Sequence, residues 1–159
     1  MPETTIQPVK TNVTWDDLDG LVAELAERLA AAPEPDVVLA ISRGGLVPAG
    51  MLGYRMGWRD MLLAAVVAYD DESGFRGQAD FLQFPSDDQI VGKTVLVIDE
   101  VWDSGTTIAA VSKRIHDAGG TPVTAVLHYK PGNSRVDIEP DHYIVETNDW
   151  VRYPFKAGK

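Results

Sequence analysis

Val95-Leu96-Val97-Ile98-Asp99-Glu100-Val101-Trp102-Asp103-Ser104-Gly105-Thr106-Thr107 decides the reading of this chain. Its first four residues form an unbroken apolar run, as expected of a parallel strand covered on both faces. Two adjacent acids stand at the carboxyl end of that strand. A small, hydroxyl-rich turn follows, and then a helix from about Thr106 to Ala118 that stops at Gly119-Gly120. Each part has a chemical use. Backbone N–H groups at a helix start, together with Ser and Thr hydroxyls, suit a phosphate. Gly105 lets the backbone approach closely. Paired carboxylates suit vicinal hydroxyls or a magnesium ion. An ordinary capped helix start accounts for one or two of these residues, but not for successive acids plus Asp103 and three hydroxyls.

The same pattern extends outward. Thr14-Trp15-Asp16-Asp17 signals a helix start, and Leu18, Leu21, Val22, Leu25 and Leu29 continue it at helical spacing. Pro33 and Pro35 close that helix. Val37–Ile41 is a second short apolar run, broken by Ser42-Arg43-Gly44-Gly45, and a helix follows from about Val47 to Met56. Further strands are expected at Met61–Ala68, Pro122–His128 and near His142–Val145. The stretch Tyr69–Val91 lacks a clear period and reads as a long loop or irregular hairpin, and loops of that length are often functional. Alternation of strand and helix predicts an open α/β sheet. Ligands bind beyond the carboxyl ends of such strands, where Ser42–Gly45 and Asp99–Thr107 stand. No internal repeat or linker divides the 159 residues, which suit one domain.

A net charge of -10 argues against general nucleic-acid or anionic-membrane binding. The absence of cysteine removes disulfides, thiolate zinc sites and a cysteine nucleophile. His116, His128 and His142 have no metal-ligand spacing. Met1–Lys10 lacks the pattern of a signal peptide, no apolar run is long enough to span a bilayer, and a cytoplasmic location is expected.

The segment Val95–Thr107 resembles the 5-phosphoribosyl diphosphate (PRPP) motif of the type I phosphoribosyltransferases: hydrophobic residues, two acids, then Asp-Thr/Ser-Gly-x-Thr. Ser42-Arg43-Gly44-Gly45 is similar to the pyrophosphate loop of that family, which often carries a non-proline cis peptide. The similarity spans about Val13 to Pro154 and is greatest to the bacterial 6-oxopurine branch. It implies the type I fold, a central, mostly parallel sheet flanked by helices with a small hood from the C-terminal segment, here about residues 129–155. It implies that Asp99 and Glu100 face the ribose hydroxyls and a magnesium ion, that Asp103, Ser104, Gly105, Thr106 and Thr107 wrap the 5′-phosphate, and that Ser42, Arg43, Gly44 and Gly45 hold the pyrophosphate. Asp103 would steer the base proton. The implied substrates are PRPP and a purine base, and the implied assembly is a dimer or tetramer.

Lys130 follows Val126-Leu127-His128-Tyr129. It can donate to a purine O6, although taken alone it reads as a solvated lysine before a turn. Trp150 can stack on a planar base or simply pack, and by the resemblance Val151 offers backbone groups to the base edge. Trp15, Trp58 and Trp102 are assigned to packing. Two departures from the family stand out. Between Asp70 and Asp88 six acids face one base, Arg76, a local charge of -5 where the resemblance leads one to expect cations. Arg152 stands where the 6-oxopurine branch carries an acid. Three readings therefore stay open: a purine salvage transferase, a transferase for another nucleobase, and a non-catalytic PRPP or nucleotide sensor. Residues Ala157–Lys159 are expected to be loose.

Overall fold

The computed structural model describes residues 10–71 and 74–156, and for 69–78 the backbone only. In chain order the elements are β1 (Lys10–Asn12), α1 (Trp15–Ala30), β2 (Val37–Ile41), α2 (Leu46–Met56), β3 (Met61–Asp71), β4 (Gly74–Gln83), α3 (Asp87–Ile90), β5 (Thr94–Ile98), β6 (Val101–Trp102), α4 (Thr106–Asp117), β7 (Thr121–Ala125), β8 (His128–Tyr129), β9 (Val145–Glu146) and β10 (Trp150–Arg152). A 3-10 turn, Pro154–Lys156, ends the described chain.

The apolar runs form the middle of a five-stranded sheet of order β4-β3-β2-β5-β7. Its pairs are parallel except β3 with β4, which is antiparallel. Both faces of β2 and β5 are covered, which is why neither strand alternates polar with apolar residues. Val38, Ala40, Leu96 and Ile98 face the layer of α1 and α2, meeting Leu18, Val22, Leu25 and Leu52. Leu39, Ile41, Val95 and Val97 face α4, meeting Ile108, Val111 and Ile115. The α1 start is a capping box: Asp17 N–H donates to Thr14 Oγ1 at 3.0 Å, and Thr14 N–H donates to the Asp17 carboxylate at 2.9 Å.

β2 and β5 lie side by side, with Ala40 opposite Ile98. From β2 the chain passes through α2 to β3 on one side. From β5 it passes to α4 and β7 on the other. The connections diverge at the carboxyl ends of these two strands, which opens a crevice between them.

Of the two readings of Tyr69–Val91, the structure shows the irregular hairpin: β3 runs on to Asp71 and returns as β4, with register shifts at Ala65/Val66 and Tyr69/Asp70, and α3 follows. Two sequence expectations are corrected. The strand expected at Pro122–His128 breaks after Ala125; His128–Tyr129 joins a separate three-stranded sheet, β6-β8-β9. Trp15 is not a packing residue, for it stands at the outer face of the first turn of α1 and is 57% exposed. The Arg76 side chain and residues Ala157–Lys159 lie outside what the structure describes. Among the described residues no helix is long and apolar enough to cross a membrane.

Candidate active site

The crevice between β2 and β5 is a cleft of ≈ 250 Å³, lined by Ser42, Arg43 and Gly44 from one turn and by Asp99, Glu100, Asp103, Ser104, Gly105 and Thr107 from the other. The two turns quoted from the sequence therefore meet in space. Ser42–Arg43 is a non-proline cis peptide. Gly44 faces the Glu100 carboxylate so closely that a Cβ there would displace it. Arg43 is exposed at the rim, and Gly45 leads directly into α2.

The acid pair is held by its main chain. The Glu100 carbonyl accepts from Leu127 N–H at 3.1 Å and His128 N–H at 3.2 Å, and from the Tyr153 hydroxyl at 2.9 Å. Glu100 N–H donates to the Asp99 carboxylate at 2.9 Å. Burial, and then the neighbouring Glu100 charge, push the Asp99 carboxyl well above its usual range. Burial opposes the Glu100 charge, but hydrogen bonds from Asp99 and Lys156 outweigh it and hold that group below its usual range. The Lys156 ammonium lies 2.7 Å from Glu100 Oε1. These are hard oxygen donors, of the kind that bind magnesium through one or two carboxylates and complete its shell with substrate oxygens. Among the described residues no group of three or more His, Asp or Glu side chains forms an all-protein metal cage.

The turn Asp103–Thr107 is built at the start of α4. Gly105 adopts φ 79°, a left-handed conformation that side chains resist, and it presses against the Trp102 indole. Trp102 is fully buried, donates from Nε1 to Ser134 Oγ at 3.2 Å, and supports the turn from below. The Ser104 and Thr106 hydroxyls are 2.9 Å apart. Thr106 and Thr107 open α4, whose first N–H groups lack intrahelical partners.

Lys130 is not a solvated lysine. It is 4% exposed, and its ammonium lies 3.2 Å from the Asp103 carboxylate and 5.5 Å from the centre of the Trp150 ring. The short β6–β8 ladder puts it there. Trp102 registers with Tyr129, and Lys130 N–H donates to the Trp102 carbonyl at 2.9 Å. Asn133 Nδ2 donates to the other Asp103 oxygen at 3.0 Å. Trp150 keeps 57% of its surface exposed, whereas the Val151 side chain is buried and its strand pairs with β1. The structure thus brings Asp103, Lys130 and Trp150 together at one end of the cleft. Arg152 is exposed beside them in sequence.

Three residues of the site escaped the sequence reading: Asn133, Tyr153 and Lys156. Tyr153 is buried within an aromatic tail that reads as packing, and nothing local marks its hydroxyl as a tether for Glu100. Lys156 lies 56 positions from its partner, so no spacing rule connects them.

Paired acids, a helix-start turn and a glycine loop thus face one another across an α/β crevice. The sequence pattern of the phosphoribosyl transferase domain matches residues 14–157, and the chain belongs to that family. It is a transferase of the type I fold. A xanthine-guanine phosphoribosyltransferase of Gluconobacter oxydans is 33% identical over 151 residues, 92% of this chain and 84% of its own. A purine phosphoribosyltransferase from Pyrococcus horikoshii superposes with a TM-score of 0.79 at 27% identity, over 94% of this chain and 96% of that one. A Neisseria gonorrhoeae protein solved with bound ppGpp superposes with a TM-score of 0.78 at 28% identity, over 96% and 92%.

Proposed function

We propose that this phosphoribosyltransferase serves purine salvage, moving the 5-phosphoribosyl group of PRPP onto a 6-oxopurine to give a nucleoside monophosphate and pyrophosphate. The observation that carries the base assignment is the buried Lys130, held between the Asp103 carboxylate and the Trp150 ring. An ammonium there can donate to a purine O6, and the exposed indole offers a stacking face worth ~1–3 kcal/mol. The Gluconobacter and Pyrococcus relatives, named for purine bases, support the same class.

The residues divide the work. Ser104, Gly105, Thr106 and Thr107 bind the 5′-phosphate at the α4 start. Asp99 and Glu100 bind the ribose hydroxyls and would hold magnesium. When bound, that ion supplies positive charge to the departing pyrophosphate. Arg43, with the backbone of Ser42, Gly44 and Gly45, holds the same leaving group. Breaking the C1′–O bond sends its electron pair to pyrophosphate and leaves cationic character on the ribose. The base nitrogen forms the new C1′–N bond, and Asp103 accepts the proton lost from the base. Lys130 and Asn133 orient that carboxylate. Positioning and charge stabilisation supply most of the rate. The chain acts as a homo-oligomer in the cytoplasm.

The test is pyrophosphate release from PRPP with magnesium and guanine, xanthine, hypoxanthine, adenine, uracil or orotate, one at a time. Turnover with one or more 6-oxopurines is expected, and their ranking reports what Arg152 does. Turnover with a pyrimidine alone overturns the base assignment. The ppGpp-bound Neisseria relative favours a second reading, a nucleotide sensor. No turnover with any base, together with tight nucleotide binding, would select it.

A further inference from the structure

The cleft must accept a highly anionic substrate in a protein of net charge -10. Lys130 is paired with Asp103, and between Asp70 and Asp88 the sequence carries six acids against one base. A second cavity, ≈ 620 Å³, adjoins the cleft on the side of the glycine loop. Its walls are Ser42, Arg43, Gly44 and Glu100, closed on the far side by Phe155 and Lys156. The Lys156 ammonium is 2.7 Å from Glu100 Oε1 and 5.3 Å from the Tyr153 ring centre, with 44% of its side chain still open to solvent. An ammonium has three donors, and Glu100 accepts one.

From this placement we infer that Lys156 is a pyrophosphate-binding residue, held over the Ser42–Gly45 loop by Glu100 and facing Arg43 across the cavity. It adds a cation from the C-terminal turn to a site beside a sequence stretch of six acids and one base. The same contact makes it a built-in cation at the acid pair, so pyrophosphate binds measurably even without a divalent ion. The inference deepens the proposed reaction and rests on the pyrophosphate role of the loop, but not on the identity of the base.

Calorimetric titration with inorganic pyrophosphate, with and without magnesium, tests it on the wild-type protein, Lys156→Met and Lys156→Arg. Methionine keeps the apolar stem against Tyr153 and removes the charge. Lys156→Met is expected to weaken metal-free pyrophosphate binding by about fivefold or more, and Lys156→Arg to restore most of it. Guanosine monophosphate, which carries no pyrophosphate, is the internal control and is expected to bind all three proteins alike. Unchanged pyrophosphate affinity in Lys156→Met overturns the inference. So does an equal loss for pyrophosphate and the monophosphate, which marks Lys156 as a structural brace. A wild-type protein that binds pyrophosphate in this pattern yet turns over no purine would refute the proposed reaction and leave the role of Lys156 standing.

Discussion

Asp103 illustrates what a single residue carries in this site. It is half exposed, so it adds little to the core, yet both carboxylate oxygens are engaged, one by Lys130 and the other by Asn133. A buried lysine needs a counter-charge or hydrogen-bond partners, so this pair fixes the lysine as well as the acid. Asp103→Asn keeps the shape and removes the proposed proton acceptor. General acid–base groups contribute typically 10²–10⁴-fold, so kcat is expected to fall by about a hundredfold or more. The thermal midpoint should stay within a few degrees of wild type. Steady-state kinetics beside a melting curve check both, and near-normal kcat would remove Asp103 from the proton transfer. The residue types of this centre were legible in advance: Asp99, Glu100 and Asp103 stand within five positions of one another. The partners Asn133 and Lys156 were not, because each reaches its acid from a distant part of the chain.

At the scale of elements, the proposed phosphate turn depends on one backbone conformation. Gly105 stands at φ 79°, and a side chain there would meet the Trp102 indole. Left-handed backbone alone costs an L-residue roughly 1–2 kcal/mol, and Trp102 cannot move without disturbing Ser134 and Tyr129. Gly105→Ala is therefore expected to lower stability by about 2 kcal/mol and to weaken PRPP binding together with it. Chemical denaturation and PRPP titration measure the two effects. Normal PRPP affinity in a destabilised variant would mean that the turn does not bind the phosphate. The elements themselves were readable where one period dominated: β2, β5, α1 and α4 follow their sequence boundaries closely, because their apolar patterns and caps are local. The hairpin β3–β4 was harder to read. It lies at the sheet edge, only part of it is covered, and its register shifts interrupt the alternation that would have marked it.

The whole molecule is joined through His128. Its imidazole is 2% exposed, and Nδ1 lies 2.7 Å from the Tyr153 hydroxyl. That hydroxyl gives its proton to the Glu100 carbonyl, so the imidazole is the donor to Tyr153. The chain ties β8, the acid pair and the C-terminal tail into one buried network. Burial first, and the Lys130 charge second, lower the His128 pKa from 6.5 to about 4. The unfolded chain therefore binds this proton more readily than the folded one. Stability is retained above about pH 6.5 and is lost progressively as the pH falls toward about 4. At 1.36 kcal/mol for each pH unit, the full loss is about 3 kcal/mol. Urea midpoints of the metal-free protein across this range should fall with acid, and His128→Asn, which retains a donor toward Tyr153, should flatten the slope. Equal slopes in both proteins would place the acid sensitivity elsewhere.

Sequence alone determined the α/β order of a sheet flanked by helices, the strand-end acids, the glycine loop and the helix-start turn. These depend on short-range patterns: unbroken apolar runs for strands buried on both faces, 3.6-residue spacing for helices, and caps that act within four positions. Tertiary structure decided that the two turns face each other across the β2–β5 crevice. It also decided that β6 and β8 pair to bury Lys130 beside Asp103, and that the C-terminal turn returns Lys156 to Glu100. Each of these is a hydrogen-bond register or charge contact between residues far apart in the chain. Only the closing of the core brings such partners within reach, and no local pattern encodes the distance between them.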